Sequence, residues 1–203
     1  MLESKQAGDR DAVSVEARFQ VVARRADWRF LLPDPNLNDV LYVGALPEDL
    51  LAALRLLSHS LAPADAINTA YEVRPADLVV LRSPTRAQTR LALGLLKARG
   101  AVYCELYRPL RRPLSFLRDQ AGAVHQELTR AGFRSIQVHW HYPSFKACTK
   151  LIPITDPAAL AYWIASGNRT WLAQPAWLRL LTGPRLLERV LPCVSIIAQR
   201  GER

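Results

Sequence analysis

The chain reads as an α/β protein, a three-layer sandwich on a mainly parallel, Rossmann-like sheet. Three observations predict this. Val40–Gly44, Asp77–Leu81 and Ala101–Tyr107 are short, nearly continuous apolar runs, as expected of strands buried on both faces. Segments with the spacing of amphipathic helices separate and follow them, and that alternation marks a parallel sheet. The 203 residues, half hydrophobic and 22% charged, are enough for a buried core, read as one domain over 1–203.

Residues 1–26 read as an N-terminal extension, polar up to residue 12 and ambiguous between helix and strand beyond it. Asp27–Pro35 is expected to be extended, because prolines at 33 and 35 push their predecessors out of the helical region. After the first strand, Pro47, Glu48 and Asp49 open a helix over 47–59, with Leu50, Leu51, Leu54 and Leu57 on one stripe. Ser60 to Ala76 leaves room for one short strand, Ala66 to Val73, so the first half of the fold is shortened. Beyond Asp77–Leu81, Ser83 is the expected N-cap and Pro84 the first position of a helix over 84–98. That helix turns Leu91, Leu95 and Leu96 inward and stops at Gly100. A helix from about 114 to 131 stops at Gly132. Ser135–Tyr142 and Cys193–Gln199 alternate and close the sheet. Between them, 143–190 reads as a helical insertion, with helical patches near 156–166 and 175–190.

Charge is concentrated. The net charge is +9, and the window Arg82–Arg118 holds nine basic residues against a single acid, Glu105. Such a window attracts anions. It also reads as a solvated, arginine-rich face, and it lacks the interleaved aromatics of single-strand nucleic-acid platforms, so nucleic acid is not favoured as a partner. No apolar run reaches the roughly 18 residues that span a bilayer. The start lacks the apolar stretch of a secretory signal, and three scattered cysteines (Cys104, Cys148, Cys193) do not make a disulfide scaffold. A soluble, cytoplasmic chain is expected.

The order of elements resembles the class I S-adenosylmethionine-dependent methyltransferases. The stretches that carry this are Val40–Gly44 with Pro47, the central run Asp77–Leu81, the phrase Leu95-Leu96-Lys97-Ala98-Arg99-Gly100 before Ala101–Leu106, and Ala131-Gly132-Phe133 before the closing strands. The resemblance covers about 38–142 and 190–200. It implies S-adenosylmethionine as cofactor, held by Gly44, Ala45 and Leu46 with Glu72 at the ribose, and methyl transfer to a small or peptide-borne acceptor. The sequence departs from the family's glycine-rich first loop, with Leu46 and Glu48 where glycines are usual. A pseudo-methyltransferase serving as a binding or scaffold subunit is the alternative.

Other residues point to a site on their own chemistry. His139 and His141 share one face of a strand and are candidates to take an acceptor's proton, or for ordinary polar packing. Arg108, Arg111 and Arg112 follow the third strand, where an anionic substrate group would sit. Glu105 reads as the partner of an arginine rather than as a base. His141–Phe145 is an aromatic turn suited either to stacking on a ligand or to anchoring itself. The segment 156–190, with Trp163, Trp171 and Trp177, reads as a lid or core packing, a protein interface, or a peripheral membrane contact.

Overall fold

A computed structural model describes residues 19–64, 75–107, 120–165 and 191–201. Seven strands form one sheet: β1 (Leu37–Val43), β2 (Ser58–Pro63), β3 (Ala76–Arg82), β4 (Leu96–Tyr107), β5 (Phe133–Tyr142), β6 (Lys150–Pro153) and β7 (Cys193–Arg200). Their order across the sheet is β2-β1-β3-β4-β7-β5-β6. β1 to β4 are mutually parallel, whereas β7 is antiparallel to both β4 and β5, and β6 is antiparallel to β5. The sheet is therefore the mainly parallel one expected, with two reversed strands.

Helices α1 (Glu48–Leu57), α2 (Arg86–Gly94), α3 (Gln120–Arg130) and α4 (Pro157–Ala165) cover it. The alternation of side chains along each strand divides the core in two. Val79, Leu81, Val102, Cys104, Ile196 and Trp140 face α2, α3 and α4. Val40, Leu78, Val80, Tyr103 and Ile197 face α1 and the segment ending at Leu32. Three layers result.

Several local expectations change. Asp27–Leu31 is a short 3-10 helix rather than extended chain, because Trp28 turns into the core and stacks on Tyr103 at 3.6 Å. The second strand is Ser58–Pro63, immediately after α1, and the whole span 66–73 expected for it lies outside the described residues. Thr85, not Ser83, caps α2: its hydroxyl accepts from the Gln88 N–H while Gln88 Oε1 accepts from the Thr85 N–H, a reciprocal capping box. Ser83 instead takes a left-handed φ of 42°, and its N–H donates to the Glu105 carbonyl. α2 ends at Gly94, with Leu91 exposed and Ala92 and Leu93 buried. Gly100 lies inside β4, where the register against β3 slips between Ala76 and Leu78.

The region 143–190 opens with a strand, β6, that widens the sheet. Trp163 of α4 is buried edge-on against Trp140 at 4.8 Å, so this tryptophan is core packing. Residues 166–190, with Trp171 and Trp177, lie outside the described residues. No helix among the described residues is long and apolar enough to cross a membrane.

Candidate functional site

In a sheet of this kind, ligands gather at the carboxyl ends of strands, where the strand order reverses. Here that point lies between β1 and β3, since β2 lies on one side of β1 and β3 on the other. β1 ends in Gly44 at φ +79°, a conformation that costs an L side chain roughly 1–2 kcal/mol and explains the glycine. A Cβ built there would rest 3.5 Å from Gln88 Nε2, an ordinary contact. Thus the turn after β1 meets the first turn of α2, and Gln88, through the capping box, is held where its amide faces Gly44. Ala45 is exposed. Leu46 is partly buried against the apolar cluster that contains Leu50 and Leu54. Pro47 caps α1 without a side-chain bond, and Glu48 and Asp49 occupy its first turn. Glu72 lies outside the described residues, as do Arg108, Arg111 and Arg112.

Beside this turn, on the face that carries Trp28, the strands bring together a set of buried polar groups. Glu105 of β4 faces Ser195 of β7, which faces His139 of β5, so the three share one row. Glu105 is fully buried and does pair with an arginine, though one from far outside the basic window. Arg25 Nη2 donates to Glu105 Oε2 at 2.9 Å, and Nη1 sits 2.7 Å from Oε1 without hydrogen-bond alignment. The Tyr103 hydroxyl donates to the same Oε1 at 2.9 Å. Arg25 Nε donates to Asp49 Oδ2 at 2.8 Å, tying the network to the first turn of α1. Burial alone would lower the guanidinium's proton affinity, but the hydrogen bond and charge of Glu105, with the charge of Asp49, leave it raised. Burial pushes the Tyr103 hydroxyl well up, and the charge of Glu105 adds to this.

His139 and His141 share a face, as their spacing predicts, and both are buried. Burial lowers His139 to about 4. Burial, with the charge of Arg25 and of His139, lowers His141 to about 3. Both imidazoles are therefore neutral at pH 7 and weak as bases. His141 Nε2 lies 2.8 Å from Ser195 Oγ, and its ring tilts against Phe145 at 4.7 Å. The aromatic turn thus anchors itself: Phe145 is buried under the Arg25 guanidinium, and Tyr142 packs edge-on against Trp140. A pocket of about 170 Å³ opens between this turn and the N-terminal segment, with Arg24, Trp28, His141, Phe145, Cys148 and Lys150 in its wall. His141 lines it and His139 does not. Burial raises the Cys148 thiol.

Arg25 and Trp28 are not singled out by any sequence pattern, and Asp49 reads from the sequence only as an acid opening its helix. The one signal was Glu105, a carboxylate inside an otherwise apolar strand, which demands a buried cation from somewhere.

No protein-family model matches the chain, and no curated protein matches it. Solved structures do align along its length. A Thermotoga maritima SAM-dependent methyltransferase, described as a possible histamine N-methyltransferase, aligns over 96% of both chains at 10% identity and a TM-score of 0.47. The plantazolicin methyltransferase BpumL, in complex with SAH, aligns over 98% of this chain and 90% of its own at 10% identity and a TM-score of 0.43. Phosphoethanolamine N-methyltransferase 2 of Haemonchus contortus aligns over 83% of this chain and 49% of its own, at 17% identity and a TM-score of 0.40. Likeness at this level adds no weight to the strand order itself.

Proposed function

We propose that this chain is a methyltransferase-type protein that binds S-adenosylmethionine over the turn Gly44–Leu46 and passes its methyl group to a small or peptide-borne acceptor. The observation that carries this reading is Gly44. It is a left-handed glycine directly after β1, placed at the reversal of strand order with the Gln88 amide beside it. Such a turn lets backbone approach a ligand where a side chain would stand in the way, and in this reading its backbone would meet the amino-acid end of the cofactor. When bound, the cofactor supplies an electrophilic methyl on a sulfonium.

The chain's own contribution is alignment. Gly44, Ala45 and Leu46 offer backbone to the cofactor, and Leu46 has an apolar seat to turn into. Arg25 ties the first turn of α1 to β4 through its ion pairs with Asp49 and Glu105. His141, neutral and bonded to Ser195, borders the acceptor side as a fixed polar wall and not as a strong base. Positioning of this kind is worth several kcal/mol, up to about 7–11 in well-oriented intramolecular reactions.

A second reading has its own observation. Glu48 and Asp49 already occupy the positive end of α1, which an anionic ligand group would otherwise use. In that reading the chain is a cofactor-free binding subunit. Titrating the protein with S-adenosylmethionine and S-adenosylhomocysteine by calorimetry separates the two. Affinity near 1 μM, on the order of −8 kcal/mol, supports the enzyme. Silence up to about 1 mM supports the binding subunit. A Leu46→Gly, Glu48→Gly variant that gains binding would locate the cause in the turn.

A further inference from the structure

The pocket between the N-terminal segment and the end of β5 is about 170 Å³. An engineered apolar cavity of about 150 Å³ takes up a benzene ring; this pocket has comparable room, with a wall that is part polar and part apolar. The wall suits a ring: Trp28, Phe145 and His141 contribute aromatic surface and Cys148 a soft sulfur. Trp28 is 1% exposed, one face is covered by Tyr103, and its indole N–H has no hydrogen-bond partner among the described residues. Charge adds a second preference. Arg25 is already matched by two carboxylates, so the balance at the opening is set by exposed Arg24 and Lys150 against Asp27.

We propose that this pocket binds a planar acid of one ring, with the ring against Trp28 and Phe145 and the acid group toward Arg24 and Lys150. That this acid is the methyl acceptor rests on the function proposed above. The binding itself does not, because it requires no cofactor.

The test uses the full chain, without S-adenosylmethionine, and three probes of one shape: benzoate, benzamide and benzylamine, titrated by calorimetry and ligand-observed NMR. Benzoate is expected to bind tighter than benzamide by about fivefold or more at low salt, as charge-assisted contacts exceed neutral ones. The preference should shrink near 1 M salt, where the screening length is about 3 Å. An Arg24→Ala, Lys150→Ala variant should keep ring binding and lose the preference. Cys148→Phe, which fills the wall, should abolish binding of every probe. If that variant does not fold, Thr149→Phe at the exposed neighbour replaces it. The proposal is overturned if no ring binds saturably, if benzylamine is preferred, or if the filled variant still binds benzoate. Silence toward benzoate with S-adenosylmethionine binding intact removes the pocket and leaves the proposed function standing.

Discussion

Arg25 and Glu105, eighty positions apart in sequence, meet at two points inside the protein, with Nη2 donating at 2.9 Å and Nη1 at 2.7 Å from the second oxygen. The pair joins the N-terminal segment to the middle of the sheet, and Asp49 extends it to α1. A buried pair of this kind adds little over an apolar replacement, yet removing one partner strands the other.

Arg25→Ala should therefore cost about 3–5 kcal/mol, because Glu105 and Asp49 lose their cation together. An Arg25→Met, Glu105→Gln double variant should recover a good part of that loss. Urea unfolding of the three proteins checks the order, and a double variant weaker than Arg25→Ala would contradict it.

Acid should weaken the fold through His139 and His141. Their folded values of about 4 and about 3 lie below the ordinary 6.5 of an unfolded histidine, so between these limits the unfolded state binds more protons. The stability they contribute is complete above about pH 6.5 and declines as pH falls toward 4 and then 3. Two protons correspond to a slope of at most about 2.7 kcal/mol per pH unit near pH 5. Urea midpoints at pH 7 and pH 5 measure the decline. A His139→Gln, His141→Gln variant should flatten it, and NMR should find no titration of either ring between pH 5 and 8.

Gly44→Ala and Gly132→Ala separate strain from binding. Both glycines have left-handed φ, +79° and +85°, and no severe contact awaits a Cβ at either. Each substitution should cost roughly 1–2 kcal/mol of stability. Only Gly44→Ala should also weaken S-adenosylmethionine binding under the proposed function, and calorimetry on both variants reads the difference.

Gly100→Ala should destabilise for another reason. Its Cβ would come within 2.8 Å of Leu96 Cδ2 and 3.2 Å of the carbonyl oxygens of Ala76 and Asp77. Backbone oxygens cannot step aside as a side chain can, and about 1–3 kcal/mol is expected, as for other overpacked sites. Thermal unfolding against wild type measures it.

The case of Gly100 shows where sequence reading reaches and where it stops. The strands were legible at β1, β3, the apolar half of β4, β5 and β7, because burial on both faces or strict alternation leaves a local trace in the residues themselves. A glycine after Leu95-Leu96-Lys97 looks like a helix stop when only its neighbours are seen. Its cause is β3, which passes close enough to exclude a side chain and shifts the register there. The turn at Gly44 was legible for the same local reason as the strands. The Arg25 network was not, since its partners lie 24 and 80 positions away and no periodicity connects them. His139 and His141 were found by their spacing, but spacing carries no information about burial, and it is burial that makes them neutral.

The placement of β7 makes one strand the sole link between two parts of the sheet. β4 and β5 are joined only through Cys193–Arg200, which lies between the parallel group β2-β1-β3-β4 and the pair β5-β6. Its partners lie roughly ninety and sixty residues before it in the chain, so the middle of the sheet depends on long-range pairing of the kind that slows folding. Removing β7 would leave β4 and β5 each with an unpaired edge, the kind of edge that invites pairing with other chains.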